Sequence, residues 1–453
     1  MRRKAAFHNL GCKVNAYETE AMAEALKSGG YEIVPFAPGA DVYVINTCTV
    51  TNIADRKSRQ MLHKAKEMNP AAVVAAVGCY AQDAKAKLDV DPAVDLVIGN
   101  SEKSKILDII NRCLDGNDTA DYVDAIEGVR EYEDLHLSRT EGRTRAFMKI
   151  QDGCNQFCSY CMIPYVRGRV RSRKEEDILA EAERLAEAGY REIVLTGIHI
   201  SSYGLDFDAP GLNQQTPDAK EAKTNVRLLN LIRSLANVDG VKRIRLGSLE
   251  PGIMTGEFVE GIAEIPQICP QFHLSMQSGS DRTLGRMKRK YDTASFAGIV
   301  GIIRQHFDHP AITTDIITGF PGEDESEFAE TKAFVETIGF AKTHIFKYSV
   351  REGTAAAAMK DQNTEAVKKK RSQVLIDLDH KARYEYASWY LDKEVEVLFE
   401  EERTYRGHAA MEGHTREALT VYLPIRSEED RDLSGKIVNI HIKSVDDEGN
   451  LSV

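Results

Sequence analysis

The chain lacks any apolar run approaching the roughly 20 residues needed to cross a bilayer. It also lacks the apolar core of a secretory leader: Met1-Arg2-Arg3-Lys4 is basic, but Ala5-Ala6-Phe7-His8-Asn9 is short and polar. Both absences point to the cytoplasm. Cysteine is scarce, with eight in 453 residues. That is too few for a disulfide scaffold and leaves thiolate chemistry or metal binding as the expected use. Positive charge is short too, 59 Lys and Arg against 70 Asp and Glu for a net charge of −11, which argues against gripping nucleic acid by bulk charge. The remainder is a soluble globular composition, 42% hydrophobic and 28% charged. At roughly 150 residues per domain its length predicts about three domains.

The few cysteines are not scattered. Cys154, Cys158 and Cys161 share the stretch Gly153-Cys154-Asn155-Gln156-Phe157-Cys158-Ser159-Tyr160-Cys161. Structural zinc sites close their tetrahedron with four protein ligands, whereas three thiolates around a 4Fe-4S cube leave one iron open for catalysis. The alternatives are a zinc knuckle borrowing a fourth ligand such as His199, or three unrelated core cysteines. Cys12, Cys48 and Cys79 form a second group, because each ends an apolar strand: residues 5–12, 42–48 and 73–79. Parallel strands put their C-terminal ends on one sheet edge, so these thiols can converge. On the residues alone, a second metal site and three buried core cysteines stay equally open. Cys113 and Cys269 are expected to be small core hydrophobes.

Hydrophobic periodicity divides the chain. Residues 1–115 read as a parallel α/β domain and residues 116–143 as a polar, acidic linker. Residues 144–380 alternate strand and helix six times, which predicts an open, partial (βα) barrel. Residues 381–453 read as a small antiparallel β-barrel, from alternating stretches at 394–399, 418–423 and 436–442. In the central domain every polar motif follows a strand end, the edge where such barrels build their sites. There Thr196, Gly197, Glu250, Gln277 and Arg351 are candidates to contact a ligand, and His199 is expected to be a hydrogen-bonded strand-end histidine. Arg167, Arg169, Arg171 and Arg173 follow the cysteine loop and are expected to hold substrate phosphates. Lys368 to Arg371 are expected to lie on a solvated helix face.

Cys-x3-Cys-x2-Cys with Tyr160 before its last cysteine resembles the radical S-adenosylmethionine (SAM) superfamily, in which the amino and carboxylate groups of SAM chelate the open iron. With the strand-end cysteines and the terminal small barrel, the whole chain resembles the methylthiotransferase family, whose last domain is called TRAM. The resemblance implies a second 4Fe-4S cluster on Cys12, Cys48 and Cys79. The segments Leu10-Gly11-Cys12-Lys13-Val14-Asn15, Asn46-Thr47-Cys48-Thr49-Val50-Thr51 and Ala54-Asp55-Arg56-Lys57-Ser58-Arg59-Gln60 resemble the MtaB branch. That branch modifies N(6)-threonylcarbamoyladenosine beside the tRNA anticodon. The MiaB branch (isopentenyladenosine in tRNA) and the RimO branch (a ribosomal-protein aspartate) differ after the first cysteine. Gly247 departs from the serine many relatives carry before Ser248-Leu249-Glu250-Pro251. The resemblance further implies an enzyme that uses two SAM molecules, an electron donor, a sulfur donor and a tRNA anticodon stem-loop, and a monomer is expected. The alternative from another class is a noncatalytic, zinc-stabilised RNA-binding protein.

Overall fold

The structure is a computed structural model and describes residues 2–116, 122–135, 137, 144–207 and 226–453. Much of the expected linker, residues 117–121, 136 and 138–143, lies outside the described residues.

The first unit runs β1 (Lys4–Asn9), α1 (Lys13–Ser28), β2 (Glu32–Val34), β3 (Val42–Thr47), α2 (Asn52–Met68), β4 (Val73–Gly78), α3 (Cys79–Asp83), α4 (Lys85–Leu88), β5 (Leu96–Ile98) and α5 (Ile106–Leu114). Its five strands are parallel in the order β2-β1-β3-β4-β5. Every residue of β3 and β4 is buried, because α1 and α5 cover one sheet face and α2, α3 and α4 the other. That double cover is why these strands read as unbroken apolar runs. The chain direction then places Cys12, Cys48 and Cys79 just past β1, β3 and β4, on one edge.

The second unit runs β6 (Arg145–Asp152), α6 (Ile163–Val166), β7 (Arg171–Ser172), α7 (Glu175–Glu187), β8 (Glu192–Gly197), α8 (Val226–Ala236), β9 (Arg243–Leu246), α9 (Gly256–Ala263), β10 (Gln271–His273), α10 (Asp281–Arg286), α11 (Thr293–His306), β11 (Ala311–Thr318), α12 (Glu325–Ile338) and β12 (Lys342–Lys347). Parallel β6-β8-β9 and parallel β10-β11-β12 are joined by the parallel bridges Ile244↔Ile268 and Leu249↔Leu274. Six strands thus curve around a single core into an open half-barrel. The fourth barrel strand holds ladder geometry only over Gln271–His273. Beyond it the chain kinks, and Gln277 takes a left-handed φ of 68°.

A long helix α13 (Glu365–Ser388) runs unbroken through residue 380, the expected domain boundary, and delivers Ala387 into the next core. The last unit comprises β13 (Glu394–Tyr405), β14 (His408–Thr415), β15 (Thr420–Pro424), α14 (Glu428–Arg431), β16 (Ile437–His441), β17 (Ser444–Val445) and β18 (Leu451–Ser452). Its sheet order is β16-β13-β14-β15-β18-β17, antiparallel except for the short β15–β18 pair. It docks on the base of the half-barrel, opposite the cysteine loop. Arg243, the first residue of β9, donates from Nε to Glu396 Oε1 at 2.9 Å, and Arg245 donates to the Arg416 carbonyl at 2.9 Å.

Candidate active site

The cysteine loop leaves β6 through Gly153, whose φ of 70° opens a turn closed by Cys154 N donating to the Gly168 carbonyl at 3.0 Å. A Cβ at Gly153 would fall 1.8 Å from the Arg169 carbonyl oxygen, so the loop requires glycine there. Phe157, midway along the loop, also has positive φ (49°), a costly conformation for an aromatic residue. Arg169 stacks on its ring with Cζ 4.5 Å from the centroid. The loop is fastened to the far side of the half-barrel as well: Ser159 N donates to the Met287 carbonyl at 3.0 Å, and Ala356 N to the Ser159 carbonyl at 2.7 Å.

Around this loop sits a polar cluster contributed by several strand ends. Arg289 donates to Cys158 Sγ (3.1 Å), Glu250 Oε2 (2.7 Å) and the Ser275 carbonyl (3.2 Å). Burial opposes ionisation of Glu250, but Arg289 and His199 outweigh it and hold the carboxyl below its ordinary pKa. His199 Nε2 lies 3.8 Å from Glu250 Oε2, and its backbone N–H donates to Gln151 Oε1 at 2.7 Å. Tyr160 packs edge-on against Phe320. Burial pushes the Cys161 thiol up to about 12 and raises Cys154 as well. Such thiols stay protonated unless a metal takes the proton's place.

The second triad lies directly beside the first. Gly11 has φ 108°, and a Cβ there would stand 3.1 Å from Cys48 Sγ, so the chain before Cys12 passes hard against the second thiol. Burial pushes Cys48 up to about 11, and neighbouring Cys79 and Cys12 push the same way. Arg167, from the turn after the cysteine loop, donates from Nε to Cys79 Sγ at 3.2 Å and from Nη1 to Asp152 Oδ2 at 3.1 Å. One guanidinium and the Asp152-Gly153 dipeptide therefore separate Cys79 from Cys154. The same guanidinium pairs with Glu18 on α1 (2.8 Å), which also binds Lys149 (2.7 Å) and Lys103 (3.2 Å). All four side chains are fully buried. Burial opposes ionisation of Glu18, but Arg167, Lys103 and Lys149 together hold its pKa far below the carboxylate range.

The arrangement suits two iron-sulfur cubes better than zinc. Tetrahedral zinc with Zn–S near 2.3 Å spaces its sulfurs roughly 3.8 Å apart. Among the described residues, only Glu400, Glu412 and His414 bring three potential ligand atoms within 4.8 Å of one another, so both cysteine triads are more open than zinc needs. Two sets of three free thiols, with Cys48, Cys79 and Cys154 buried and Cys12 exposed, and each set with no fourth cysteine among the described residues, fit a larger cluster with one open position.

Residues 4–99 match the model described as Uncharacterized protein family UPF0004, and residues 148–335 match the Radical SAM superfamily. The chain is 41% identical to the Threonylcarbamoyladenosine tRNA methylthiotransferase MtaB of Bacillus subtilis, over 96% of this chain and 93% of the relative. The chain belongs to the radical SAM methylthiotransferase family. It is 39% identical to the MtaB of Aquifex aeolicus, over 88% of this chain and 93% of that one. It is also 34% identical to a tRNA-2-methylthio-N(6)-dimethylallyladenosine synthase of Pelotomaculum thermopropionicum, over 95% and 93%. Among solved structures, the radical SAM methyltransferase TsrM of Kitasatospora setae shares the fold, with TM-score 0.56, 16% identity and 79% and 77% coverage. Membership makes this chain an enzyme of SAM and iron-sulfur chemistry.

For a radical SAM methylthiotransferase, the expected ligand contacts fall in two classes. Tyr160 belongs to the cysteine loop, and Glu250 is tied to it through Arg289, which donates to both Glu250 and Cys158. Thr196 and Gly197 end β8, with Gly197 against the Gln151 backbone, and Gln277 holds the end of β11 through its carbonyl and N–H. The arginines expected to hold phosphates need correction. Arg167, Arg171 and Arg173 are buried; Arg171 donates to the carbonyls of Arg167 and Arg169, and Arg173 pairs with Glu181 at 2.7 Å. A buried guanidinium held by carboxylates and carbonyls cannot reach RNA. Arg351, expected to contact a ligand, instead clamps the last barrel loop to the first domain through Asp55 (2.6 Å), Thr49 (2.6 Å) and Asp83 (3.2 Å). Lys368 and Arg371 are also buried, Arg371 on Glu323 at 2.7 Å, while Lys369 and Lys370 are exposed. Arg289 and Glu18 escaped the sequence reading. Arg289 lies in a basic run at 286–290 of the kind that can grip phosphates, which hides its place beside Cys158, and nothing near Glu18 in sequence announces its three cationic partners.

Proposed function

We propose that this enzyme adds a methylthio group to carbon 2 of N(6)-threonylcarbamoyladenosine beside the tRNA anticodon. The observation that supports this reading is the pair of three-cysteine sites facing each other across Arg167 and Asp152, in a chain most of whose length aligns with relatives named for that reaction. Cys154, Cys158 and Cys161 would hold one 4Fe-4S cluster, and Cys12, Cys48 and Cys79 the other. When bound, the first supplies the electron that splits the carbon–sulfur bond of SAM and the second carries the sulfur to be transferred. Glu250, His199 and the carbonyl-rich ends of β8 and β10 offer acceptors for the amino group and ribose of SAM. Arg289 is placed to neutralise a carboxylate, and Tyr160 with Phe320 shields the pocket from water. An unactivated aromatic C–H has no useful acidity, so a general base offers no route, and an enclosed radical site does.

The reading requires a tRNA anticodon stem-loop, two SAM molecules, an electron donor and a sulfur donor, with the protein acting as a monomer in the cytoplasm. No helix among the described residues is long and apolar enough to cross a membrane. The test is mass spectrometry of tRNA nucleosides from cells lacking the protein. Loss of the methylthio group from the threonylcarbamoyl nucleoside alone is expected, and loss from the isopentenyl nucleoside instead would overturn the assignment. Full methylthiolation by Cys158→Ala would defeat the whole reading.

A further inference from the structure

The burial of Arg167, Arg171 and Arg173 leaves the polyanionic substrate without its expected grip, so the exposed cations nearest each triad become the question. Two pairs stand out. Arg56 and Lys57 on α2 are exposed and precede Ser58, whose Oγ accepts from the Cys48 N–H at 3.3 Å. Lys288 and Lys290 are exposed and flank Arg289, whose Nη1 lies 3.1 Å from Cys158 Sγ. Among the described residues none of these four side chains has an ion pair or hydrogen bond, whereas the exposed cations Lys105, Lys347, Arg431 and Lys436 pair with carboxylates. On a chain of net charge −11, two such cations beside one residue at each triad form a local positive rim.

Exposed apolar side chains also lie close in sequence to both triads, Val50 two residues past Cys48 and Tyr165 four past Cys161. Val50, Ile53 and Tyr165 are 59%, 56% and 52% exposed, and Val350 is exposed beside them. Val350 and Ile53 are held adjacent because Asn52 Nδ2 donates to the Val350 carbonyl at 3.1 Å and Asn52 N to Ser349 Oγ at 3.2 Å. A cationic rim around exposed apolar and aromatic side chains matches an unstacked RNA loop, which offers phosphates outside and bases inside.

We infer that Arg56 and Lys57 on one lip, and Lys288 and Lys290 on the other, hold the phosphates of a single-stranded RNA loop while Val50, Ile53 and Tyr165 take its unstacked bases. This rests on the proposed function and names the surface that presents the substrate. The lips belong to different domains, so the RNA spans the seam clamped by Arg351.

The test is the affinity of the cluster-loaded enzyme for a synthetic anticodon stem-loop carrying N(6)-threonylcarbamoyladenosine, measured across salt concentration. At roughly 0.7 decades of affinity per decade of salt for each phosphate contact, neutralising either pair should flatten the salt slope by about 1.4 and weaken binding roughly 25-fold near 0.1 M salt. The variants are Arg56→Gln with Lys57→Gln, and Lys288→Gln with Lys290→Gln; iron content and melting temperature report their folding. Lys369→Gln with Lys370→Gln, the same charge change on exposed α13, should leave slope and affinity unaltered. Lip variants that bind like the wild type, or like the α13 control, overturn the assignment. So does retained RNA affinity with slower reduction by an acidic redox protein, which would give the rim to the electron donor. A wild-type enzyme with no affinity for the stem-loop defeats instead the proposed function beneath it.

Discussion

At the scale of single residues, the site depends on groups whose roles come from what they touch. Gly153→Ala drives a methyl group into the Arg169 carbonyl at a φ that disfavours any side chain, so the cysteine loop cannot close. Iron bound after anaerobic reconstitution should fall from about eight to about four atoms per chain, one 4Fe-4S cluster being lost. Arg167→Met removes the cation shared by Cys79, Glu18 and Asp152 and leaves two buried carboxylates with fewer partners. Breaking such a buried pair costs about 3–5 kcal/mol, which denaturant unfolding of the metal-free protein would register. Both residues also mark where the sequence stops being legible. The cysteine spacing was readable because three thiols must curl around one cofactor within a few residues. The arginines after it were not, because whether a guanidinium meets phosphate or Glu18 depends on α1, more than a hundred residues away.

Secondary-structure elements carry the next level of explanation. The six half-barrel strands were readable because strand-like stretches alternate with helical patterns, and helices Thr293–His306 and Glu325–Ile338 start directly after the capping residues Asp292 and Asp324. Strand β14 was not readable: His-Ala-Ala-Met-Glu-Gly-His-Thr lacks apolar alternation and is a strand because β13 and β15 pair with it. The clamp between the last barrel loop and α2 was equally hidden, since Arg351 meets Asp55, Thr49 and Asp83 only after both domains have folded. Arg351→Ala should loosen that seam while leaving each domain folded. Limited proteolysis should then cut in the chain joining β12 to α13, at least several-fold faster than in the wild type, with circular dichroism unaltered.

The whole molecule is held at its two ends by buried charge, which makes its stability depend on pH. At the barrel base, burial works against ionisation of Glu192, but Arg245, with help from Arg145 and Arg243, brings its pKa down to about 2 from 4.5. A carboxyl depressed on folding contributes stability that is complete above its unfolded value. That stability drains as pH falls through the interval from about 4.5 to about 2. Thermal melting of Glu192→Gln should therefore be lower than wild type near neutrality and should change less with pH across that interval. This base is where the last domain docks, so its undocking should accompany the loss.

The central claim is that two separate three-cysteine sites, each holding a 4Fe-4S cluster, divide the labour of one reaction. Replacing Cys12, Cys48 and Cys79 together by alanine tests it directly when iron content, 5′-deoxyadenosine release from SAM and methylthio product are measured on the same anaerobic preparation. The account predicts half the iron, continued 5′-deoxyadenosine release and no methylthiolated nucleoside; full iron content, or any wild-type rate of methylthiolation, would contradict it.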